Sequence, residues 1–80
     1  MSTYLIYMEC GHTPKAEACD DWATTMSGAK NWRYQFRKDI WIFRPGANWW
    51  WILPYEHNAL RPAKLDEIPK SIQLLALMEG

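Results

Sequence analysis

The 80-residue sequence has few of the features that identify a function directly. It contains two cysteines and four glycines, and nine Lys and Arg residues balance nine Asp and Glu residues. It contains no Gly-rich phosphate loop, no Gly-x-Ser-x-Gly motif and no His-Glu-x-x-His motif. We therefore expect a protein without catalytic activity, and the zero net charge argues against a general polyanion binder.

Long hydrophobic runs are also missing. No apolar stretch approaches the roughly 20 residues that a membrane-spanning helix needs. The first nine residues, MSTYLIYME, lack the basic start, long apolar stretch and cleavage site of a signal peptide. We expect a cytoplasmic protein with no membrane association, and its length indicates a single compact domain over residues 1–80.

Aromatic residues are abundant instead: six Trp, four Tyr and two Phe. A chain of this size buries only roughly 60% of its unfolded surface, so it needs large side chains or an added staple. Each buried ring removes about 150–250 Å² from water. The rings can supply much of the core, and we predict neither a cofactor nor a structural metal.

The first half of the chain predicts a strand followed by a helix. Residues 3–9 are rich in β-formers and indicate a sheltered strand. Thr13-Pro14 is typical of a helix start, and Gly28 of a stop. Between them, apolar residues recur at spacings of three and four, which predicts an amphipathic helix over residues 14–27.

The second half predicts three strands and a final helix. Residues 31–37 alternate between aromatic and polar, residues 40–44 follow after Lys38-Asp39, and Pro45-Gly46 precedes a third strand over residues 48–53. Residues 54–65 indicate a loop. A helix beginning near Asp66 is favoured over a terminal strand at residues 72–78. The order β-α-β-β-β-α predicts an α+β fold, a two-layer antiparallel sheet packed by one or two helices.

Positive charge is concentrated at residues 31–46, where four cations stand against one anion. Strand alternation with a two-residue loop at Pro45-Gly46 puts Trp50 in the core with Trp41, and one extra loop residue reverses this. The arginines then share a face with the remaining tryptophans. We predict a protein-binding surface there, formed by Arg33, Arg37, Arg44, Trp49, Trp51 and Tyr55. The alternative is that helices cover both faces and every Trp fills the core.

An exposed face of Trp and Arg is the usual composition of interface hot spots. The leading functional hypothesis is therefore a small non-catalytic protein-binding module. Stand-alone domains of this size are often inhibitors or adaptors, including those that phages and mobile elements direct against host complexes. A homodimer through the same face is a variant of this hypothesis.

Nucleic-acid binding through the same arginines and tryptophans is an alternative. From residue 14 onward the predicted order is similar in outline to double-stranded RNA-binding domains, which recognise shape, phosphates and 2′-hydroxyls. Those domains have a Lys-rich start to their last helix, where this sequence has Lys70 alone beside Asp66 and Glu67. Stacking of single-stranded bases on exposed Trp fits the residues better.

Cys10, His12, Cys19 and His57 are of zinc-ligand type, which makes a small zinc-stabilised domain a further alternative. Their spacing matches none of the usual paired Cys or His patterns, so we predict that they bind no metal. A Cys/His nucleophile pair oriented by Asp20 or Asp21 can be drawn from the same region. We interpret Cys19 as a core residue and the two aspartates as the wet side of a helix.

Overall fold

The computed structural model describes residues 4–57 and 59–79. In chain order the elements are β1 (Tyr4–Met8), β2 (Lys15–Cys19), α1 (Trp22–Phe36), β3 (Ile40–Arg44), β4 (Trp49–Leu53), β5 (Arg61–Pro62) and α2 (Lys70–Glu79). The strands form one antiparallel sheet in the order β2-β1-β3-β4-β5. The predicted α+β class with an antiparallel sheet is confirmed. Neither helix in the described ranges is long and apolar enough to cross a membrane.

The two helices lie on opposite faces of the sheet. On one face α1 packs against a core that includes Ile6, Met8, Ile40, Ile42 and Leu53. On the other face α2 packs over the cluster Tyr7, Trp41, Phe43, Trp50 and Ile52. The sheet and its two helices therefore form three layers, where the sequence predicts two. The central strands are apolar at successive positions, so both of their faces require a cover.

The predicted helix over residues 14–27 is wrong in its first half. Residues 15–19 form an edge strand, in which Met8 pairs with Lys15 and Tyr4 with Cys19. The helix start is set by Asp21 instead, because its carboxylate accepts a hydrogen bond from the Thr24 backbone N–H at 2.7 Å. This side-chain cap satisfies one of the free N–H groups of the first turn.

The predicted strand over residues 31–37 is also wrong, since it is the second half of α1. Gly28 lies inside this helix. A Cβ there would lie 3.2 Å from Ile6 Cδ1, so glycine allows α1 to approach β1 closely. The element order is β-β-α-β-β-β-α. From α1 onward it keeps the predicted order α-β-β-β-α, with the helix beginning at Trp22 and the two helices on opposite faces of the sheet.

The hairpin of β3 and β4 confirms the predicted strands at residues 40–44 and 48–53 within one residue. Its loop is two residues longer than predicted, with a 3-10 turn at Pro45–Ala47 and a left-handed Asn48 with φ 50°. Phe43 consequently pairs with Trp50 and Ile42 with Trp51. A change of two residues keeps the side-chain parity, so Trp50 shares a face with Trp41 as predicted.

The predicted loop over residues 54–65 contains the short strand β5, which pairs with β4 at the sheet edge. The final helix is confirmed in type, but its start is later than Asp66. A 3-10 turn at Leu65–Glu67 and then Pro69 precede the first α-helical residue, Lys70. The spacing of Ile68, Ile72, Leu75 and Met78 predicts one buried stripe; Ile68 and Ile72 are buried, whereas Met78 is 83% exposed.

Candidate functional site

The structure does not bring the six predicted binding residues into one patch. Arg44 and Trp49 pair with each other at one end of the β3-β4 hairpin. Arg33, Arg37 and Tyr55 lie at the opposite end, where α1 finishes and β4 has just ended. Four residue steps along a strand separate the two ends by about 13 Å.

At the second of these ends, Arg33 acts as a structural tie. Its Nε donates to the carbonyl oxygen of Pro54 at 2.7 Å, and its guanidinium also donates to the carbonyl oxygen of Tyr55. The guanidinium carbon lies 5.6 Å from the centre of the Tyr55 ring. Arg33 and the adjacent part of Tyr55 are therefore engaged within the molecule rather than presented to a partner.

Arg37 borders an open cleft of mixed charge at this same end. Glu9, Lys38, Asp39 and Glu56 are among the other side chains that line it. Lys38 Nζ donates to the Glu9 carbonyl oxygen at 3.0 Å, and the Asp39 carboxylate accepts from the Tyr55 backbone N–H at 2.8 Å. The balance of charges gives this cleft no preference for a cationic or an anionic ligand.

The first end carries a continuous group of aromatic rings. Arg44 pairs with Trp49, and Leu5 pairs with Phe43, so Tyr4, Arg44 and Trp49 form one row across three strands. Trp51 is the next residue on the same side of β4, and Trp22 is the first residue of α1. We call this group the aromatic-arginine surface, formed by Tyr4, Trp22, Arg44, Trp49 and Trp51.

Ring contacts hold the aromatic-arginine surface together. The centroid of Trp22 lies 5.2 Å from Tyr4 and 5.1 Å from Trp51, and Trp49 lies 6.2 Å from Trp51. The rings are tilted by 53° to 60°, the offset geometry that favours edge-to-face contact. The Arg44 guanidinium carbon lies 5.8 Å from the centre of the Tyr4 ring. These contacts pre-order large side chains that remain accessible.

The exposure of this surface follows from where α1 begins. The helix starts at Trp22, whose ring lies against Tyr4 and Trp51, and this leaves Arg44 and Trp49 at the hairpin end exposed. Trp22 is 37% exposed and Trp49 is 49% exposed, while Tyr4 and Trp51 are half-buried. Two of the chain's largest apolar side chains are thus left in partial contact with water.

Arg44 is the cation within the aromatic-arginine surface, and Arg61 and Lys64 line a recess beside it together with Trp49. The salt bridge formed within residues 4–57 and 59–79 joins Arg61 to Glu67 at 2.8 Å, where β5 forms the edge of the sheet beside β4. Arg44 is exposed and has a ring contact but no carboxylate partner among these residues. A partner that supplies a carboxylate beside an apolar recess would complement this arrangement.

Trp49 and Trp51 lie on the side of β4 opposite to Trp50, as the two-residue loop predicts. Trp22 and Tyr4, which lie beside them, were not among the predicted binding residues. Trp22 was assigned to the core stripe of a helix over residues 14–27, and Tyr4 to a sheltered strand. The available signal was Asp21, a strong N-cap residue, which makes Trp22 the first helical residue and so places it at the open end. Alternation along β1 then puts Tyr4 on the side of Ile6.

The two cysteines differ in their exposure. Cys10 is exposed and Cys19 is buried. Burial raises the pKa of the Cys19 thiol, and the nearby carboxylates add to this effect, although a hydrogen bond with Thr25 opposes it. A raised pKa disfavours the thiolate that nucleophilic chemistry and metal binding require. The described residues include no group of three or more His, Cys, Asp or Glu side chains placed to hold a metal ion.

Comparison with known proteins adds no further information about the site. The chain matches no protein-family model, no curated protein and no solved structure.

Proposed function

We propose that this protein is a non-catalytic protein-binding module that docks through the aromatic-arginine surface. The observation that supports the proposal is that Trp22 and Trp49 are partly exposed on either side of Trp51. Arg44 lies next to them and has no carboxylate partner within the described residues. Trp and Arg at the centre of an interface account for a large share of measured hot spots.

The area that remains exposed is large enough to contribute to binding. A buried Trp removes up to about 250 Å² from water. At the exposures of Trp22 and Trp49, each indole therefore leaves roughly 100 Å² for a partner to cover. Because the rings already contact one another, little side-chain freedom is lost when they dock, and this raises the net affinity.

The chemistry of the surface also favours a protein over a nucleic acid. Of the arginines predicted to bind, Arg44 is the one at this end, while Arg33 is bonded to backbone carbonyls at the other. Lys64 and Arg61 line the neighbouring recess, but Arg61 is paired with Glu67 there. Arg44 and Lys64 together provide little of the counterion release that drives phosphate binding. A protein with an apolar recess and one flanking carboxylate fits better. An inhibitor or adaptor, of the kind that phages and mobile elements direct against host complexes, is the form we propose.

The test is a tagged pull-down from the native host lysate, with and without nuclease, using paired variants. Trp49→Ser and Arg44→Glu alter the aromatic-arginine surface, and Tyr34→Ser and Arg37→Glu are matched controls at exposed sites on or after α1. We expect a stoichiometric protein that survives nuclease to be retained by the wild type and the controls and lost from the first pair.

Circular dichroism is the control that tests whether each variant is folded before binding is compared. Retention of the same protein by folded Trp49→Ser and Arg44→Glu would contradict the proposal. If the retained material is lost after nuclease treatment, the protein binds nucleic acid instead. Its affinity should then fall steeply with salt concentration.

A further inference from the structure

A second surface, on the opposite side of the sheet, carries exposed aliphatic side chains along α2. Leu74 is 61% exposed, Leu77 is 78% exposed and Met78 is 83% exposed. Their spacing of three and four residues places them in one line on the helix. Ile72 and Ala76 point the other way and are buried against the sheet. The helix is therefore apolar on two sides, although the fold buries only one.

A groove runs beside this line. It has a volume of about 420 Å³ and is lined by residues that include Phe43, Pro45, Trp50, Leu65 and Leu77. Leu65 is 62% exposed and forms the rim that faces α2. Leu77 belongs both to the line and to the lining of this groove, so the exposed line meets the groove at Leu77. We call the line and the groove together the α2 surface.

We propose that the α2 surface binds a second copy of this chain. A two-fold interface requires a surface that is complementary to itself, so a ridge and a recess must lie side by side on one molecule. The α2 surface has both. A two-fold axis across the helix also sets two α2 helices antiparallel, which aligns their dipoles favourably.

The distribution of charge along α2 also supports a second copy of this chain as the partner. The sequence has no charged residue between Lys70 and Glu79, so two copies can approach along the helix without removing a charge from water. Lys70 lies four residues before Leu74 and so at one end of the line, and the apolar side chains extend from there. The aromatic-arginine surface differs because Arg44 lies inside it, where the carboxylate of a partner can pair with it.

The exposed area matches the needs of a small dimer. A Leu or Met side chain removes about 100 Å² of apolar surface when it is buried. At the exposures given above, Leu65, Leu74, Leu77 and Met78 leave roughly 300 Å² per copy, or roughly 600 Å² in a pair. Since about 60% of an interface is apolar, the whole contact reaches about 1,000 Å², the lower limit for a specific interface. We therefore expect a weak, reversible dimer.

Sedimentation equilibrium of the untagged chain over a range of concentrations tests this proposal. We expect the mass to rise from 9.5 kDa toward twice that value as the protein reaches high-micromolar concentration. A double variant, Leu74→Gln with Leu77→Gln, should stay at the mass of one chain. The control is Tyr34→Gln, which changes an exposed apolar residue on α1 and should dimerise like the wild type.

A wild-type mass that stays at one chain throughout would overturn the proposal, and so would a dimer that persists in the folded double variant. A second measurement needs no substitution. If the α2 surface holds a dimer, the urea midpoint of the wild type rises with protein concentration, because association stabilises the folded state by mass action. A midpoint independent of concentration contradicts it. The aromatic-arginine surface lies on the other face, so its partner binding is tested separately.

Discussion

Arg33 joins α1 to the chain that leaves β4, through a hydrogen bond from its Nε to the carbonyl oxygen of Pro54 at 2.7 Å. The same guanidinium bonds to the Tyr55 carbonyl oxygen and covers the Tyr55 ring. These contacts fix the direction of the chain after the sheet. An arginine predicted from the sequence to contact a partner therefore has a structural role.

Replacement of Arg33 should lower stability. Hydrogen bonds from a charged group are worth about 1.5–3 kcal/mol each, and Arg33→Met leaves the carbonyl oxygens of Pro54 and Tyr55 without this donor. We expect a loss of about 1.5–3 kcal/mol in the free energy of unfolding measured in urea. Lys30→Met on the exposed side of α1 is the control and should change it by less than about 0.5 kcal/mol. Equal effects of the two substitutions would contradict the role assigned to Arg33.

At the end of α1 we predict a substitution that raises the stability of the protein. Arg37 adopts a left-handed conformation with φ 56°, and its N–H donates to the Arg33 carbonyl oxygen at 3.0 Å. Glycine adopts this conformation without the steric cost that a Cβ imposes. Arg37→Gly should therefore stabilise the protein by about 0.5–1 kcal/mol.

Gln35→Gly is the matched control for Arg37→Gly. Gln35 lies two residues earlier, inside the helix. The substitution should destabilise the protein by about 0.5–1 kcal/mol, because glycine loses more backbone entropy on folding and relieves no left-handed conformation there. Thermal unfolding followed by circular dichroism measures both variants. A decrease in stability for both would show that the left-handed cap imposes no cost on Arg37.

The sequence errors around α1 have a physical explanation. Trp32, Tyr34 and Phe36 alternate with polar residues, as in a strand. A spacing of two contains a spacing of four, so Trp32 and Phe36 also share one side of a helix, and there they pack against the core. Tyr34 then points to solvent. The periodicity of one short segment does not distinguish a strand from a helix here, because the outcome depends on whether the segment can pair with a distant strand.

The strands β3 and β4 were predictable because their information is local. Both are short, rich in β-branched and aromatic residues, and joined by a Pro-Gly turn. The faces of Trp49, Trp50 and Trp51 depended only on the parity of that turn. Exposure of Trp22 and Trp49 could not be predicted in the same way, since it depends on where α1 begins relative to the sheet end.

The two cysteines should differ sharply in reactivity. Cys10 is exposed, whereas Cys19 is buried at the end of β2 with a pKa raised by that burial. At mild alkaline pH the thiolate is the nucleophile that attacks an alkylating reagent such as iodoacetamide, with loss of iodide. The reagent should therefore label Cys10 rapidly in the folded protein and Cys19 only after unfolding in urea. Mass spectrometry after digestion assigns the labelled residue, and Cys10→Ser should leave the native protein almost unlabelled. Rapid labelling of Cys19 in that folded variant would contradict its burial.

The ion pair beside β5 makes stability depend on pH in a defined range. Arg61 donates to both carboxylate oxygens of Glu67, at 3.3 and 2.8 Å, and the Lys64 backbone N–H donates to the same group at 2.9 Å. The Arg61 hydrogen bonds, followed by the Lys64 backbone, lower the pKa of Glu67 from 4.5 to about 2. The carboxylate is thus favoured in the folded state.

A carboxyl group with a lowered pKa contributes stability above its unfolded value and loses it as the pH falls through its folded value. Glu67→Gln should therefore be less stable than the wild type at pH 7, and the difference should close as the pH falls from 4.5 to about 2. The difference at pH 7 should be small and should shrink in high salt, because both side chains are exposed to solvent. Urea midpoints at a series of pH values measure it, with Asp66→Asn as the control. A gap that stays constant down to the lowest pH would show that Glu67 contributes through packing, not through its charge.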